Sequence, residues 1–214
     1  MDMKIGIIGT GKLGGALGML WATKRKHEVF FGSRKTERST ALAQVAGENA
    51  HAGTYEEACA FADVVFLPLP WHATEAIVER LAPLLKGKVV VDPTNALGVA
   101  TDLLVVPATT SGAQVIQSLA PEARVVKAFN AVQSQNYSQP TFQRDHIGQV
   151  FYCGDDADAK GMVRELIEDV RFQPIDMGGL VMAHSIEHLS LVWIKLFREG
   201  KVVGDKTIIN IISR

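Results

Sequence analysis

Lys4-Ile5-Gly6-Ile7-Ile8-Gly9-Thr10-Gly11-Lys12-Leu13-Gly14 opens the chain with a short apolar run that stops in glycines. A run of this length and composition predicts a buried parallel strand. Residues 13–23 follow with Leu13, Leu17, Leu20 and Trp21 at helical spacing. Gly or Ala fills positions 14, 15, 16 and 18, and small residues let a helix lie close on a sheet. The glycines thus stand between a strand and a helix, the setting in which Gly-x-Gly-x-x-Gly binds a dinucleotide. Gly9 permits the tight turn, Gly11 removes a side chain that would block a pyrophosphate, and Gly14 lets the helix pack on the strand. The helix N-terminus then aims unpaired N–H groups at the phosphates.

Outward from this loop, strands and helices alternate. Strands are expected at 27–31, 63–67, 88–92, 124–128, 149–153 and 172–175, with helices at 36–46, 72–85, 111–119 and 157–168. A closing helix at 180–197 carries apolar residues nearly all round, which predicts burial against the sheet or against a second subunit. Such alternation implies an α/β fold: a Rossmann-type, doubly wound, mostly parallel sheet with helices on both faces and a short C-terminal extension. One domain is expected over 1–214, with a dinucleotide-binding core at 1–128 and a smaller part, 129–214, completing the substrate cleft.

Composition narrows the function classes. The 214 residues are 47% apolar and 21% charged, enough for a sizeable core, and the net charge of −1 argues against nucleic acid as a partner. The basic cluster at 24–26 reads as a solvated helix end. Cys59 and Cys153 stand far apart outside any Cys-x-x-Cys pattern, so no disulfide and a reduced, cytoplasmic setting are expected. Neither a cleavable leader nor a stretch approaching the roughly 18–20 apolar residues of a membrane span is seen.

The end of the second strand discriminates between dinucleotides. NAD-binding folds place Asp or Glu there to accept from the ribose 2′-OH. This chain has Gly32-Ser33-Arg34-Lys35, and no acid until Glu37. A hydroxyl beside a guanidinium suits a 2′-phosphate through forked, charge-assisted hydrogen bonds, and Arg38 lies one helical turn further on. NADP(H) is therefore the expected cofactor. Ligands of open α/β sheets lie beyond the carboxyl ends of the strands, which makes candidates of the segments 67–72, 92–95 and 129–130. Pro70 would present apolar surface to a ring, and Asn95 or Asn130 would hydrogen-bond a carboxamide or a second ligand. Trp71 is open between stacking on a planar substrate and packing, and His72 between acid/base work and simple exposure.

The chain resembles the NADP-dependent oxidoreductases of coenzyme F420, a deazaflavin, and their bacterial relatives. The resemblance is carried by the loop 9–14, Gly32-Ser33-Arg34, Leu69-Pro70-Trp71, the run 124–130 (R-V-V-K-A-F-N), Cys153-Gly154-Asp155-Asp156 and the segment 176–187. It implies that Thr10, Lys12 and Leu13 line the phosphates, that Ser33, Arg34 and Arg38 hold the 2′-phosphate, and that Leu69 and Pro70 border the nicotinamide. It also implies reversible hydride transfer between the nicotinamide C4 and the deazaflavin. Such transfer needs stacking, alignment and exclusion of water more than a protein acid or base, so no catalytic residue is named. The stretch 92–108 and the pair Phe129-Asn130 look more like the bacterial branch, which leaves the second substrate open among the deazaflavin, an ordinary flavin, and a small carbonyl or imine.

Three further readings compete. His184-Ser185-Ile186-Glu187-His188 fits the His-x-x-Glu-His pattern of inverted zinc peptidases, with two histidines one turn apart. A third ligand is missing and the rest of the chain favours a dinucleotide, so no metal is expected and the histidines are placed at the substrate cleft or a dimer contact. A non-catalytic NADPH-binding module would explain the lack of a compelling acid/base group. Imine reductases such as pyrroline-carboxylate reductases share the glycine loop but continue into a long helical dimerisation region, whereas strands here continue through residue 175. A homodimer is expected from the closing helix and the apolar tail 202–212.

Overall fold

Successive side chains along the strands fall alternately into two separate cores, as the period of two in an extended chain requires. Ile5, Ile7, Val64, Phe66, Val89, Val91 and Val126 lie in one core. Ile8, Val65, Leu67, Val90 and Val125 lie in the other. A sheet apolar on both faces must be covered on both, and helices do this. The computed structural model describes residues 2–24, 27–98, 104–107, 109–142, 146–201 and 208–212. Residues 25 and 26 of the basic cluster, 99–103 and 108 of the stretch 92–108, and 202–207 of the tail lie outside the described residues.

In chain order the elements are β1 (Lys4–Ile8), α1 (Lys12–Lys24), β2 (Glu28–Gly32), α2 (Thr36–Ala46), β3 (Ala50–Gly53), α3 (Tyr55–Phe61), β4 (Val64–Phe66), α4 (Trp71–Leu85), β5 (Val89–Asp92), α5 (Gly112–Leu119) and β6 (Arg124–Lys127). After a 3-10 turn at Ser134–Ser138 come β7 (Gln149–Gly154), α6 (Ala157–Asp169), β8 (Gln173–Asp176), a second short turn at Leu180–Met182 and α7 (Ala183–Arg198). The sheet order is β3-β2-β1-β4-β5-β6-β7-β8. The first six strands are parallel, in the arrangement of a dinucleotide-binding fold. β7 runs antiparallel to β6, and β8 runs parallel to β7. The reversal has a local cause: among the described residues, only the 3-10 turn stands between β6 and β7, and a parallel crossover normally needs a helix to carry the chain back.

Helices α1, α2 and α6 cover the first core, and α3, α4, α5 and α7 the second. Both cores run through both halves of the chain, because Val150 and Tyr152 of β7 join the first and Phe151 and Cys153 the second. β3 and α3 are the elements that the hydropathy pattern does not announce. β3 reads Ala-His-Ala-Gly and lacks branched residues, although Thr54 and Glu57 form a capping box that marks the start of α3. The closing helix also differs from its all-round apolar reading. It is broken into a 3-10 turn and α7; Leu180, Ala183 and Ile186 are buried, while Val192 and Leu196 are exposed. Among the described residues, no helix is long and apolar enough to cross a membrane.

Two contacts fasten α6 to the first half. Trp21 on α1, 1% exposed, donates its indole N–H to the Leu166 carbonyl at 3.1 Å and meets Phe66 and Phe129 edge-on, with ring centroids 5.3 and 5.8 Å away. Buried His27 accepts the Met3 N–H on Nδ1 at 3.2 Å, which leaves Nε2 to donate to Asp169 Oδ2 at 2.6 Å. Trp21→Ala removes both ring packing and the hydrogen bond. It is expected to lower stability by about 3–5 kcal/mol in urea unfolding, the usual cost of truncating a buried aromatic.

Candidate functional site

The carboxyl ends of β1, β2 and β4 meet where the chain turns into the following elements, and glycine geometry shapes the floor. Gly9 has φ +120°, a conformation that glycine adopts without strain. A Cβ on Gly14 would run into the Gly9 carbonyl oxygen and lie 2.8 Å from Pro68 Cγ, so α1 can sit on β1 only without one. A Cβ on Gly11 would meet none of the described residues within 4 Å, so the space above the turn has room for a ligand. Gly15 N–H bonds the Gly11 carbonyl at 2.9 Å as α1 begins, and the N–H groups of the first turn remain available.

A cavity of about 790 Å³ opens here. Gly9, Thr10 and Gly11 line one part of it; Ser33, Arg34, Lys35 and Arg38 a second; Leu69, Pro70, His72 and Ile77 an apolar wall; and Tyr55 and Pro68 also border it. Ser33 Oγ receives the Thr10 hydroxyl at 3.4 Å and the Lys35 N–H at 3.2 Å, which fixes the loop. Among the described residues, three cations line the cavity and no carboxylate does. Among the described residues, neither Arg34 nor Arg38 is ion-paired. Guanidinium groups beside a hydroxyl carry the donors from which a phosphate can accept.

The fold thus brings Gly9, Thr10, Gly11, Ser33, Arg34, Arg38, Leu69 and Pro70 into one cleft. Lys12, Leu13 and Gly14 do not line it with side chains: Lys12 is exposed, Leu13 packs against the first core, and Gly14 lies under Pro68. What the first turn offers there is backbone. Trp71 is 8% exposed within the second core, so it packs, while His72 is exposed on the cavity wall.

Past β5 and β6 lies a second polar group. Asn95 Nδ2 donates to the Asn130 carbonyl at 3.1 Å, and Asn130 Nδ2 donates to Asn95 Oδ1 at 2.9 Å and to Ser190 Oγ at 2.8 Å. Among the described residues, Asn130 Oδ1 and Thr94 Oγ1 are buried without a hydrogen-bond partner. A buried polar atom left so typically costs about 1–3 kcal/mol, which a bound group can recover. The preceding residue, Phe129, has φ +66° and is held by the Tyr137 hydroxyl, which donates to its carbonyl at 3.1 Å. Left-handed backbone at a bulky residue costs on the order of 1–3 kcal/mol and here aims Asn130 at Ser190.

Beneath that pair is a fully buried ionic triad that the sequence reading missed. Lys127 Nζ contacts Asp92 Oδ2 at 2.9 Å, Glu187 Oε1 at 2.8 Å and the Thr94 carbonyl. Burial disfavours the charged lysine, but the two carboxylates outweigh it and raise its pKa. The signal lay in two apolar runs that end in opposite charges, V-V-V-D and R-V-V-K, since Asp92 and Lys127 face each other across β5 and β6. The same contacts give Glu187 an inward role. The His184 and His188 rings lie 4.2 Å apart at an interplanar angle of 43°, and His188 Nδ1 bonds the His184 carbonyl. Among the described residues, no group of three His, Cys, Asp or Glu could hold a metal. Both cysteines are buried, and burial pushes their thiols up to about 12, which disfavours the thiolate at neutral pH.

Residues 4–96 match the family model described as NADP oxidoreductase coenzyme F420-dependent. Among curated proteins, the F420-dependent NADP reductase of Methanocaldococcus jannaschii is 31% identical over 94% of this chain and 96% of its own length. The metalloreductase STEAP3 of Rattus norvegicus is 32% identical over 88% of this chain, which spans only 36% of that protein. Among solved structures, a protein of Arthrobacter sp. FB24 assigned as an F420-dependent NADP reductase superposes with a TM-score of 0.82 at 28% identity, covering 92% of this chain and 95% of its own. An imine reductase of Streptomyces aurantiacus, 20% identical with a TM-score of 0.65, shares the fold and covers 92% of this chain and 62% of its own.

Removing one member of the buried triad strands the others. Lys127→Met leaves two carboxylates facing each other out of water, and is expected to lower stability by about 3–5 kcal/mol in denaturant titration.

Proposed function

The chain belongs to the family of coenzyme F420-dependent NADP oxidoreductases, and from that premise we propose that it is an NADP(H)-dependent oxidoreductase passing hydride between nicotinamide C4 and a deazaflavin or flavin-like acceptor. The observation that carries the reading is the cavity that joins an open glycine turn to Ser33, Arg34 and Arg38 and contains no carboxylate. A carboxylate there would repel a 2′-phosphate; two guanidinium groups without other partners attract it.

The chain's residues fit NADP(H) in detail. Backbone N–H groups at the start of α1 face the pyrophosphate, with Thr10, Lys12 and Leu13 contributing main chain beside Gly9, Gly11 and Gly14. Ser33, Arg34 and Arg38 hold the 2′-phosphate. Leu69 and Pro70 form the apolar border that excludes water beside the reacting ring. When bound, NADPH supplies the hydride itself. No protein group in the cleft has to move a proton for that step; the residues align two rings and keep them dry, which is where the rate enhancement of such transfers originates. Asn95 and Asn130, at the carboxyl edge of the sheet, supply the polar contacts on the acceptor side. In the same reading the protein works in the reduced cytoplasm as a homodimer, with Val192 and Leu196 of α7 covered by the second copy.

The deciding experiment is an anaerobic assay of NADPH with purified deazaflavin, run beside FMN, FAD, ferric chelates and small imines. Tight NADPH binding without turnover on any acceptor would make the protein a binding module instead. Arg34→Ala is expected to weaken NADPH by about 1.5–3 kcal/mol, roughly 10- to 150-fold, and to leave NADH within about twofold in calorimetry. Equal affinity of the unaltered protein for NADH and NADPH would overturn the assignment of the cofactor.

A further inference from the structure

The ionic triad is built in a place and a manner that core stability alone does not require. Lys127 ends β6, Asp92 ends β5 and Glu187 lies on α7, all at the sheet edge where ligands bind. Every partner in it is committed. Lys127 Nζ serves Asp92, Glu187 and the Thr94 carbonyl; the other Asp92 oxygen accepts the Thr94 N–H at 2.8 Å; and the other Glu187 oxygen accepts the Gly112 N–H at 3.2 Å. One lysine between two carboxylates leaves a surplus negative charge, and it falls at the N-terminus of α5, where the helix dipole favours it. A lysine with all three donors spent has no proton to offer a substrate.

What the triad does hold is α7 against the carboxyl ends of β5 and β6. Glu187 and Ser190 stand three residues apart on α7, and they grip Lys127 and Asn130, three residues apart at the exit from β6. The two contacts act as rungs that set both the height and the rotation of α7. Thr94, clamped through its N–H and its carbonyl, and Asn130, clamped through its amide nitrogen, are the same residues whose side-chain oxygens are buried without partners. Gly112 allows the approach: a Cβ there would lie 3.0 Å from Trp71 and 3.2 Å from Glu187 Oε1.

We propose that Asp92, Lys127 and Glu187 form a positioning device that docks α7 on the carboxyl edge of β5 and β6, and that the placement of Thr94 and Asn130 beside the hydride acceptor depends on that docking. This rests on the reading of the protein as an oxidoreductase whose acceptor lies beside Asn95 and Asn130. The role is positional, because none of the three side chains has a free donor or an exposed atom to give the acceptor.

The test is the triple variant Asp92→Asn, Lys127→Met, Glu187→Gln, which removes all three charges at nearly constant volume. Replacing a whole buried ionic group by neutral side chains is often tolerated, unlike removing one member. The variant is expected to fold and to bind NADPH within twofold of the unaltered protein. Amide exchange over 93–98 and 183–190 should be at least tenfold faster, while that of β1 and β4 is unchanged. Turnover of the acceptor at saturating NADPH should fall at least tenfold, with a raised acceptor KM. Unchanged exchange in the two segments, or unchanged kcat and acceptor KM, would overturn the proposal. Exchange that accelerates uniformly over the whole sheet would reduce the triad to a general stabiliser and overturn it equally. If the unaltered protein turns over no acceptor, the functional reading fails, and exchange over the two segments still decides whether the triad positions α7. Should the triple variant not fold, Glu187→Gln alone, which retains the acceptor for Gly112 and the Lys127–Asp92 pair, is read in the same way.

Discussion

Helix α1 rests on the sheet at a distance that forbids a side chain between them, and the cofactor end of the molecule depends on that contact. At Gly14 a single added carbon would strike the turn itself, and at Gly18 it would lie 2.9 Å from Phe31 Cζ. Because the helix sits so low, its N-terminus opens directly above the end of β1, and the N–H groups that a helix leaves unpaired become the floor of a cleft. The adjoining strand β2 ends at the same level and delivers Ser33 and Arg34 to the rim. A packing constraint inside the first core thereby sets the position of charges on the surface.

The carboxyl ends of β5 and β6 are organised by a different kind of force. Around the carboxyl ends of β5 and β6, hydrogen-bonded charge replaces close apolar packing, and the partners come from four separate elements and one loop. Charge-assisted contacts are directional where hydrophobic burial is not, so they can specify the angle of a helix as well as its presence. The two halves share cores on both faces of the sheet, through β7 and through Trp21 and His27 to α6. The reversal of β7 belongs to the same economy of chain: among the described residues no crossover helix precedes it, and the strand returns antiparallel beside β6.

The parallel core could be read from sequence because its strands are short apolar runs bounded by Gly and Pro, and the helices between them carry the 3.6-residue period. The glycine loop and the Ser33-Arg34 corner were readable for the same reason, since the chemistry lies within a few consecutive residues. β3 was not, because an edge strand of Ala, His, Ala and Gly has neither pattern nor branched side chains, and its place is fixed by pairing with β2. The triad escaped because its members lie 35 and 60 residues apart, and nothing local distinguishes a lysine that will be buried from one that will not. Glu187 shows the hazard in the opposite direction: set between two histidines it imitates a metal motif, while its side chain turns inward to Lys127.

The Arg34, Lys35 and Arg38 corner has a consequence for the lifetime of the protein. Like charges gathered without a counter-acid among the described residues repel one another, and a phosphorylated ligand held there, as proposed, would relieve that repulsion only in the folded chain. A ligand that binds the native form alone, at a hundred times its Kd, adds about 2.7 kcal/mol to the free energy of unfolding. Resistance to proteolysis should then track the supply of dinucleotide, so that a cell depleted of it would lose the protein faster than one that is replete.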